Sequence, residues 1–177
     1  LLRENDDFRT LINTSYDIIF RLSSTGKLLF VSPSIERTLG YSIEETIGKS
    51  FLDFVIKSEY RRALIALGTF FKQKAITNFQ TYLLRKDGVV IPVEINGMLI
   101  AEGNKYLGQG TIRDLSERKE SEANLANAQY IFREVWERSS DGMRLTDYRG
   151  IIISCNTAFA SIFHKKYTDL EGKPFSE

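Results

Sequence analysis

The sequence predicts an α+β fold: an antiparallel sheet with short helices on one face. Two β-rich runs open the chain, short helical stretches follow, and three longer β-rich runs close the pattern near residue 114. The order is β-β-α-α-α-β-β-β, and its short connections favour an antiparallel sheet. A gap-free internal match adds a second, shorter unit. An offset of 124 residues brings Phe8, Arg9, Ser15, Asp17, Gly26, Gly48, Lys49 and Phe51 onto Phe132, Arg133, Ser139, Asp141, Gly150, Gly172, Lys173 and Phe175. The shared turn glycines and the shared Gly-Lys-x-Phe ending weigh more than the number of identities.

Each element has a local reason. Asn5 or Asp6 can cap a short helix through Asn13, with Phe8, Leu11 and Ile12 on one face. Asp17–Ser23 alternates, sending Ile18, Phe20 and Leu22 one way and Ile19 and Arg21 the other. Ser24-Thr25-Gly26-Lys27 is a hairpin turn and Leu28–Val31 its return strand. Ser32-Pro33 opens a short helix that Gly40 ends. Ser42 caps the next, with Glu45 completing a capping box and Gly48 stopping it. Ser58–Lys74 is a longer helix, with Leu64, Leu67, Phe70 and Phe71 on its buried side. Strands follow over Thr77–Arg85, Val89–Ala101 and Lys105–Asp114, with turns at Lys86-Asp87-Gly88 and Glu102-Gly103-Asn104. Asp114–Arg138 lacks Gly and Pro and favours a helix that Ser116 can cap. Along it Leu125, Ala128, Phe132 and Val135 step 3-4-3, a short coiled-coil seam. The resulting division is a first domain over 1–118, a connector helix over 115–138 and an incomplete second unit over 132–177.

Composition narrows the function. The chain has 177 residues, room for one domain plus part of another. Lys+Arg is 24 against Asp+Glu 23, unlike a nucleic-acid binder. One Cys (Cys155) and one His (His164) exclude a disulfide scaffold and leave too few ligands for a structural zinc site. No apolar run approaches the roughly 18–20 residues of a membrane span, and LLRENDDF is not a signal peptide. The chain starts without Met, as a piece excised from something longer would. These bounds describe a soluble fragment from a reducing compartment, with a cytoplasmic location and no membrane contact.

The residues also carry a family pattern. Ser32-Pro33-Ser34, Leu39-Gly40-Tyr41-Ser42, Glu45 and Ile47-Gly48-Lys49 are followed by Arg85-Lys86-Asp87-Gly88 and Gly110-x-Ile112-Arg113-Asp114-Leu115-Ser116-Glu117-Arg118-Lys119. In that order and spacing the stretch from Phe8 to Lys119 resembles a PAS domain with its C-terminal PAC segment, as in bacterial sensor proteins. The second unit resembles the first half of another, with His164-Lys165-Lys166 in place of Gly40-Tyr41-Ser42. The resemblance implies the PAS fold, a five-stranded antiparallel sheet cupped by short helices. It implies binding of small molecules or chromophores in the cup, dimerisation, and signalling to an attached output domain. Many relatives carry His-Pro before the long helix; Val55-Ile56-Lys57-Ser58 stands there instead.

Candidate sites follow. Alternation places Ile18, Phe20, Phe30, Phe79, Leu83, Val93, Ile95 and Ile112 on the inner sheet face, opposite Leu39, Ile47, Phe51, Phe54, Leu64, Leu67 and Phe71. From these a hypothetical ligand pocket is drawn: Phe20, Phe30, Leu39, Phe51, Leu64, Leu67, Phe79, Val93, Ile95 and Ile112. The alternative, that the side chains simply fill one another, is the one favoured; Gly97, Gly108 and Gly110 fit either a ligand or neighbouring rings. Residues 1–120 contain no His and no Cys, which argues against His-ligated haem and against a flavin–thiol adduct there. No cofactor is specified; an unidentified small molecule remains open. Met98 points outward by strand parity, Cys155 reads as a buried inert thiol and His164 as a solvated helix end.

Ile19, Tyr82, Leu84, Met98 and Ile100 make the outer face apolar, which calls for a cover: the leading helix through Phe8, Leu11 and Ile12, or a second subunit. No catalytic set appears. Glu44-Glu45 belongs to a cap, Gly108-x-Gly110 leads into a strand, and no Ser-His-Asp combination is available. The chain is therefore expected not to be an enzyme. In the resembled family the Asp114–Arg118 region hands the state of the sheet to the outgoing helix, which marks Asp114 and Arg118 as the signal exit. The expectation is a sensory module of a histidine kinase or diguanylate cyclase type protein, working as a homodimer with an output domain in the same polypeptide. The alternative is a ligand-free dimerisation scaffold.

Overall fold

A computed structural model describes residues 10, 12, 14–103 and 105–174 of the chain. It divides into unit 1 (Leu1–Lys119) and unit 2 (Glu120–Glu177).

In unit 1 the strands are β1 (Ile18–Leu22), β2 (Leu28–Val31), β3 (Ala75–Leu84), β4 (Val90–Glu102) and β5 (Lys105–Asp114). They form one antiparallel sheet in the order β2-β1-β5-β4-β3. The helices between β2 and β3 are α1 (Ser34–Leu39), α2 (Ile43–Thr46) and α3 (Tyr60–Gln73), with single 3-10 turns at Phe51–Phe54 and Lys57–Glu59. The expected five-stranded α+β architecture is present.

Local chemistry sets the boundaries. Gly26 turns the β1–β2 hairpin at φ 78°, and Gly40 ends α1 at φ 77°, both in the left-handed region that glycine enters without a Cβ penalty. Ser42 and Glu45 close a reciprocal capping box: Glu45 N–H donates to Ser42 Oγ at 3.3 Å, and Ser42 N–H to Glu45 Oε2 at 2.9 Å. The core runs from Ile18, Phe20 and Leu22 on β1 across to Ile91 and Val93 on β4, and up to Ile35, Leu39, Phe54, Ala63 and Phe70 on the helical side. Burying each large side chain contributes about 2 kcal/mol.

Four expectations are corrected. Phe30 faces outward, 37% exposed, because β2 carries a bulge: Arg21 pairs with Phe30 but Leu22 with Leu28. The extra residue, Leu29, shifts the alternation, so Leu28 and Val31 turn inward instead. Leu64 is 52% exposed, because the inward stripe of α3 runs through Ala63, Leu67 and Phe70. A reading weighted to large side chains misplaced that stripe by one residue, overlooking the alanine. Ile47 sits beyond the end of α2 and is 42% exposed. Helix α3 begins at Tyr60, not Ser58, since Lys57–Glu59 forms a tighter turn first.

Unit 2 contains most of the helix α4 (Ser116–Arg138), which starts in unit 1, then β6 (Arg144–Thr146), β7 (Ile152–Cys155), α5 (Thr157–Ile162) and α6 (Tyr167–Leu170). The strands pair antiparallel, with a register shift between Leu145 and Thr146. A small core of Ile152, Cys155, Phe159, Ala160 and Leu170 holds it. Among the described residues no helix is long and apolar enough to cross a membrane.

Candidate functional site: the cup and its exit

The concave side of the unit 1 sheet and the helices above it border a partly open void of about 100 Å³. Of the ten pocket residues drawn from the sequence, Phe20, Leu39, Phe51, Leu67, Phe79, Ile95 and Ile112 line it. Three do not. Phe30 and Leu64 face away for the reasons above, and Val93, although fully buried, packs into the core without reaching the void. Ile76 and Ala66 line the void and were missed by the sequence reading. Ile76 lies just ahead of the expected start of β3, and Ala66 is too small to weigh in a hydrophobic pattern.

Of the closing-strand glycines, Gly110 faces the Asn96 backbone and Gly108 a ring. A Cβ on Gly108 would lie 2.6 Å from Phe70 Cε1, and one on Gly97 3.6 Å from the same ring. Phe70 therefore occupies the space that Gly108 leaves, whereas at Gly97 the tighter neighbour is the Gln109 carbonyl, 3.1 Å from where a Cβ would sit.

Polar contacts tie the rim. Thr81 is the polar residue among those lining the void, and its hydroxyl donates to Glu59 Oε2 at 3.2 Å. Arg62 NH1 donates to the same oxygen at 3.0 Å, and its guanidinium lies 5.1 Å from the centre of the Phe79 ring. Farther along, Lys86 Nζ donates to both Glu45 oxygens at 2.6 and 2.8 Å, joining the β3–β4 turn to α2. The Lys86 hydrogen bond, followed by that from the Ser42 backbone, holds the Glu45 carboxyl below its ordinary range.

Sheet and outgoing helix meet at residues 113–119. Arg113 grips Asp17 with Nε at 3.2 Å and NH2 at 2.8 Å, joining the end of β5 to the start of β1. Those hydrogen bonds favour the charged guanidinium and raise the Arg113 pKa. Asp114 Oδ1 accepts from Ser116 N–H at 2.8 Å. The cap of α4 is thus the Asp114 carboxylate, not the Ser116 hydroxyl. Leu115 is buried, and its N–H donates to the Pro92 carbonyl of β4 at 2.9 Å. Lys119 Nζ lies 5.2 Å from the Tyr82 ring centre. Arg118 is exposed in the first turns of α4.

On the outer sheet face, Tyr82 and Met98 are exposed and Leu84 and Ile100 half-buried. Ile12, Ile19, Phe30 and Met98 border a broad groove of about 700 Å³, with Arg21 Nε donating to Gln109 Oε1 at 2.8 Å in its floor. Phe8 and Leu11 lie outside the described residues. Along α4, Leu125, Ala128, Phe132 and Val135 are exposed. In unit 2, Cys155 is buried, and that burial raises its thiol pKa. His164 follows α5 with φ 52° and is exposed. No group of three or more His, Cys, Asp and Glu suited to a metal occurs among the described residues.

The unit 1 sheet closes into a cup, and its last strand runs directly into a long outgoing helix. Comparisons with known proteins give the family. The PAS fold model matches residues 6–114, and a PAS domain model matches residues 130–177. The chain belongs to the PAS family, with two units in tandem, and its role is sensory and signalling, not enzymatic. It is 21% identical over 174 residues to Sporulation kinase E of Bacillus subtilis, covering 96% of this chain and 23% of that protein. It is 23% identical over 124 residues to Sporulation kinase C of the same organism, covering 68% of this chain and 28% of that protein. The chain thus spans less than a third of either relative. The PAS domain of an HTR-like protein from Haloarcula marismortui superposes with a TM-score of 0.56 at 21% identity, covering 63% of this chain and 92% of that one.

Proposed function

We propose that the chain is a cytoplasmic sensory and relay segment of a homodimeric signalling protein whose output domain lies elsewhere in the same polypeptide. A histidine kinase output is favoured over a diguanylate cyclase, because both sporulation relatives carry kinase in their names. The observation that carries the reading is the continuous path from cup to helix. Ile112 of β5 lines the void, Asp114 two residues on caps α4, and Leu115 fastens the root of that helix to β4. A change in the packing of the cup would shift β5 and alter the first turn of α4. Asp114 is the exit in this reading, with Arg118 on the first turns of the helix it caps. The apolar outer face and the exposed Leu125–Val135 seam supply surfaces for a second copy.

Amide exchange tests the relay. Phe70→Leu loosens the cup without touching α4, and exchange at Leu115–Lys119 should rise at least about threefold. Exchange unchanged there, in a folded variant, would end the relay reading. Sedimentation should show a dimer that Met98→Glu or Leu125→Glu weakens; a monomer at high concentration would remove the dimer from it.

A further inference from the structure

We propose that the cup of unit 1 takes a small, uncharged, apolar molecule of roughly four to six non-hydrogen atoms. This rests on the sensory reading above and names the class of molecule sensed. The lining supports it first. Hydrocarbon side chains from both layers surround the void, and the hydroxyl proton of Thr81 is committed to Glu59. The two charges that meet lining residues, Glu59 at Thr81 and Arg62 at Phe79, are bonded to each other. A carboxylate entering the void would lose hydration and find no side-chain donor free in the lining, and an ammonium would meet only the Thr81 hydroxyl oxygen.

Size supports it next. A hydrocarbon-lined cavity of roughly 150 Å³ stays dry and admits benzene. The void here, about 100 Å³, takes something slightly smaller. Sites for drug-sized ligands and cofactors run from about 300 Å³ upward, so a haem or flavin has no room in this packing. Phe70 sets the limit. Its ring fills the space beside Gly108, so the length of that one side chain decides how far the void extends under β5. An unfilled void in a packed core is unfavourable, and an apolar occupant restores the missing contacts.

The test uses the full 177-residue chain with 13C-labelled Ile and Leu methyls, titrated with thiophene and, separately, with propionate of similar size. Thiophene should shift the methyls of Leu67, Ile95 and Ile112, and propionate should bind about tenfold more weakly or less. Ala66→Leu, which projects a larger side chain from the lining, should abolish the thiophene shifts. Phe70→Leu should admit toluene where the parent protein excludes it, and decides the matter if Ala66→Leu does not fold. No thiophene shifts at these methyls, propionate binding as tightly, or shifts that persist in a folded Ala66→Leu would overturn the proposal. Amide exchange at Leu115–Lys119, read on the same samples, separates it from the relay. Thiophene bound with exchange unchanged keeps the ligand class and removes the relay. No binding, with exchange altered by Phe70→Leu alone, removes the ligand class and keeps the relay.

Discussion

In unit 1 the N–H of Ile19 and the carbonyl of Asp17 are met by two serines. Ile19 donates to Ser32 Oγ at 2.8 Å, and Ser34 Oγ donates to the Asp17 carbonyl at 3.0 Å, the hydroxyls themselves 2.6 Å apart. In unit 2 the matching groups, 124 residues on, are met by one asparagine. Met143 N–H donates to Asn156 Oδ1 at 2.9 Å, and Asn156 Nδ2 donates to the Asp141 carbonyl at 2.9 Å. The surrounding backbone repeats at the same offset. Gly48 N–H donates to the Leu28 carbonyl and Gly172 N–H to that of Ile152, each at 2.8 Å, and Arg21/Leu22 and Leu145/Thr146 carry the same register shift. The fold thus requires a buried acceptor and donor where the second strand meets the first helix, and it accepts different side chains there. That tolerance is why so few identities accompany so close a structural repeat.

The largest expected effect tests this difference. Asn156 also donates to the Trp136 carbonyl at 2.9 Å and accepts from Phe159 N–H at 2.8 Å, and it is fully buried. Asn156→Ala should destabilise unit 2 by about 3 kcal/mol or more, since several buried backbone groups lose their partner at once. Ser32→Ala should cost unit 1 roughly 1–2 kcal/mol, because Ser34 remains beside the vacated position. Hydrogen exchange resolved by unit measures both; equal losses would mean the two arrangements are energetically alike.

Next come the helix ends. Gly40 and His164 occupy equivalent positions, both in left-handed backbone, φ 77° and 52°. Glycine holds that conformation without a clash and histidine does not. His164→Gly should stabilise unit 2 by about 1 kcal/mol, and Gly40→Ala should destabilise unit 1 by a similar amount. Urea denaturation followed by exchange checks the signs. The smallest effect concerns the cap that follows. Unit 1 has both halves of its box, whereas in unit 2 Lys166 N–H donates to Asp169 Oδ2 at 3.3 Å and the ammonium cannot return the bond. Lys166→Ser should add about 0.5 kcal/mol, seen as slower exchange in the first turn of α6.

The strands, turns and caps of unit 1 were legible because each carries its own chemistry. Alternation marks β1, Gly26 its turn, and Ser42 with Glu45 the start of α2. What the sequence concealed is what depends on three-dimensional neighbours. The bulge at Leu29 leaves no mark of its own, so Phe30 was assigned to the wrong side. The inward stripe of α3 runs through alanines, so Leu64 was taken for a lining residue. The family pattern marks Asp114 as the expected exit, and the Leu115–Pro92 bond beside it has no signature in side chains because its acceptor is a backbone carbonyl. Gly97 and Gly108 were ambiguous until Phe70 was seen against them.

That bond at Leu115 makes a fulcrum. Helix α4 continues for 23 residues from there, about 35 Å at the usual rise. A tilt of about 5° at its base, which needs less than half an ångström of movement in β5 near Asp114, swings the far end by about 3 Å. In the proposed relay this is a lever with a very short input arm: length beyond the root would convert a change too small to break the sheet into a displacement several times larger at the far end.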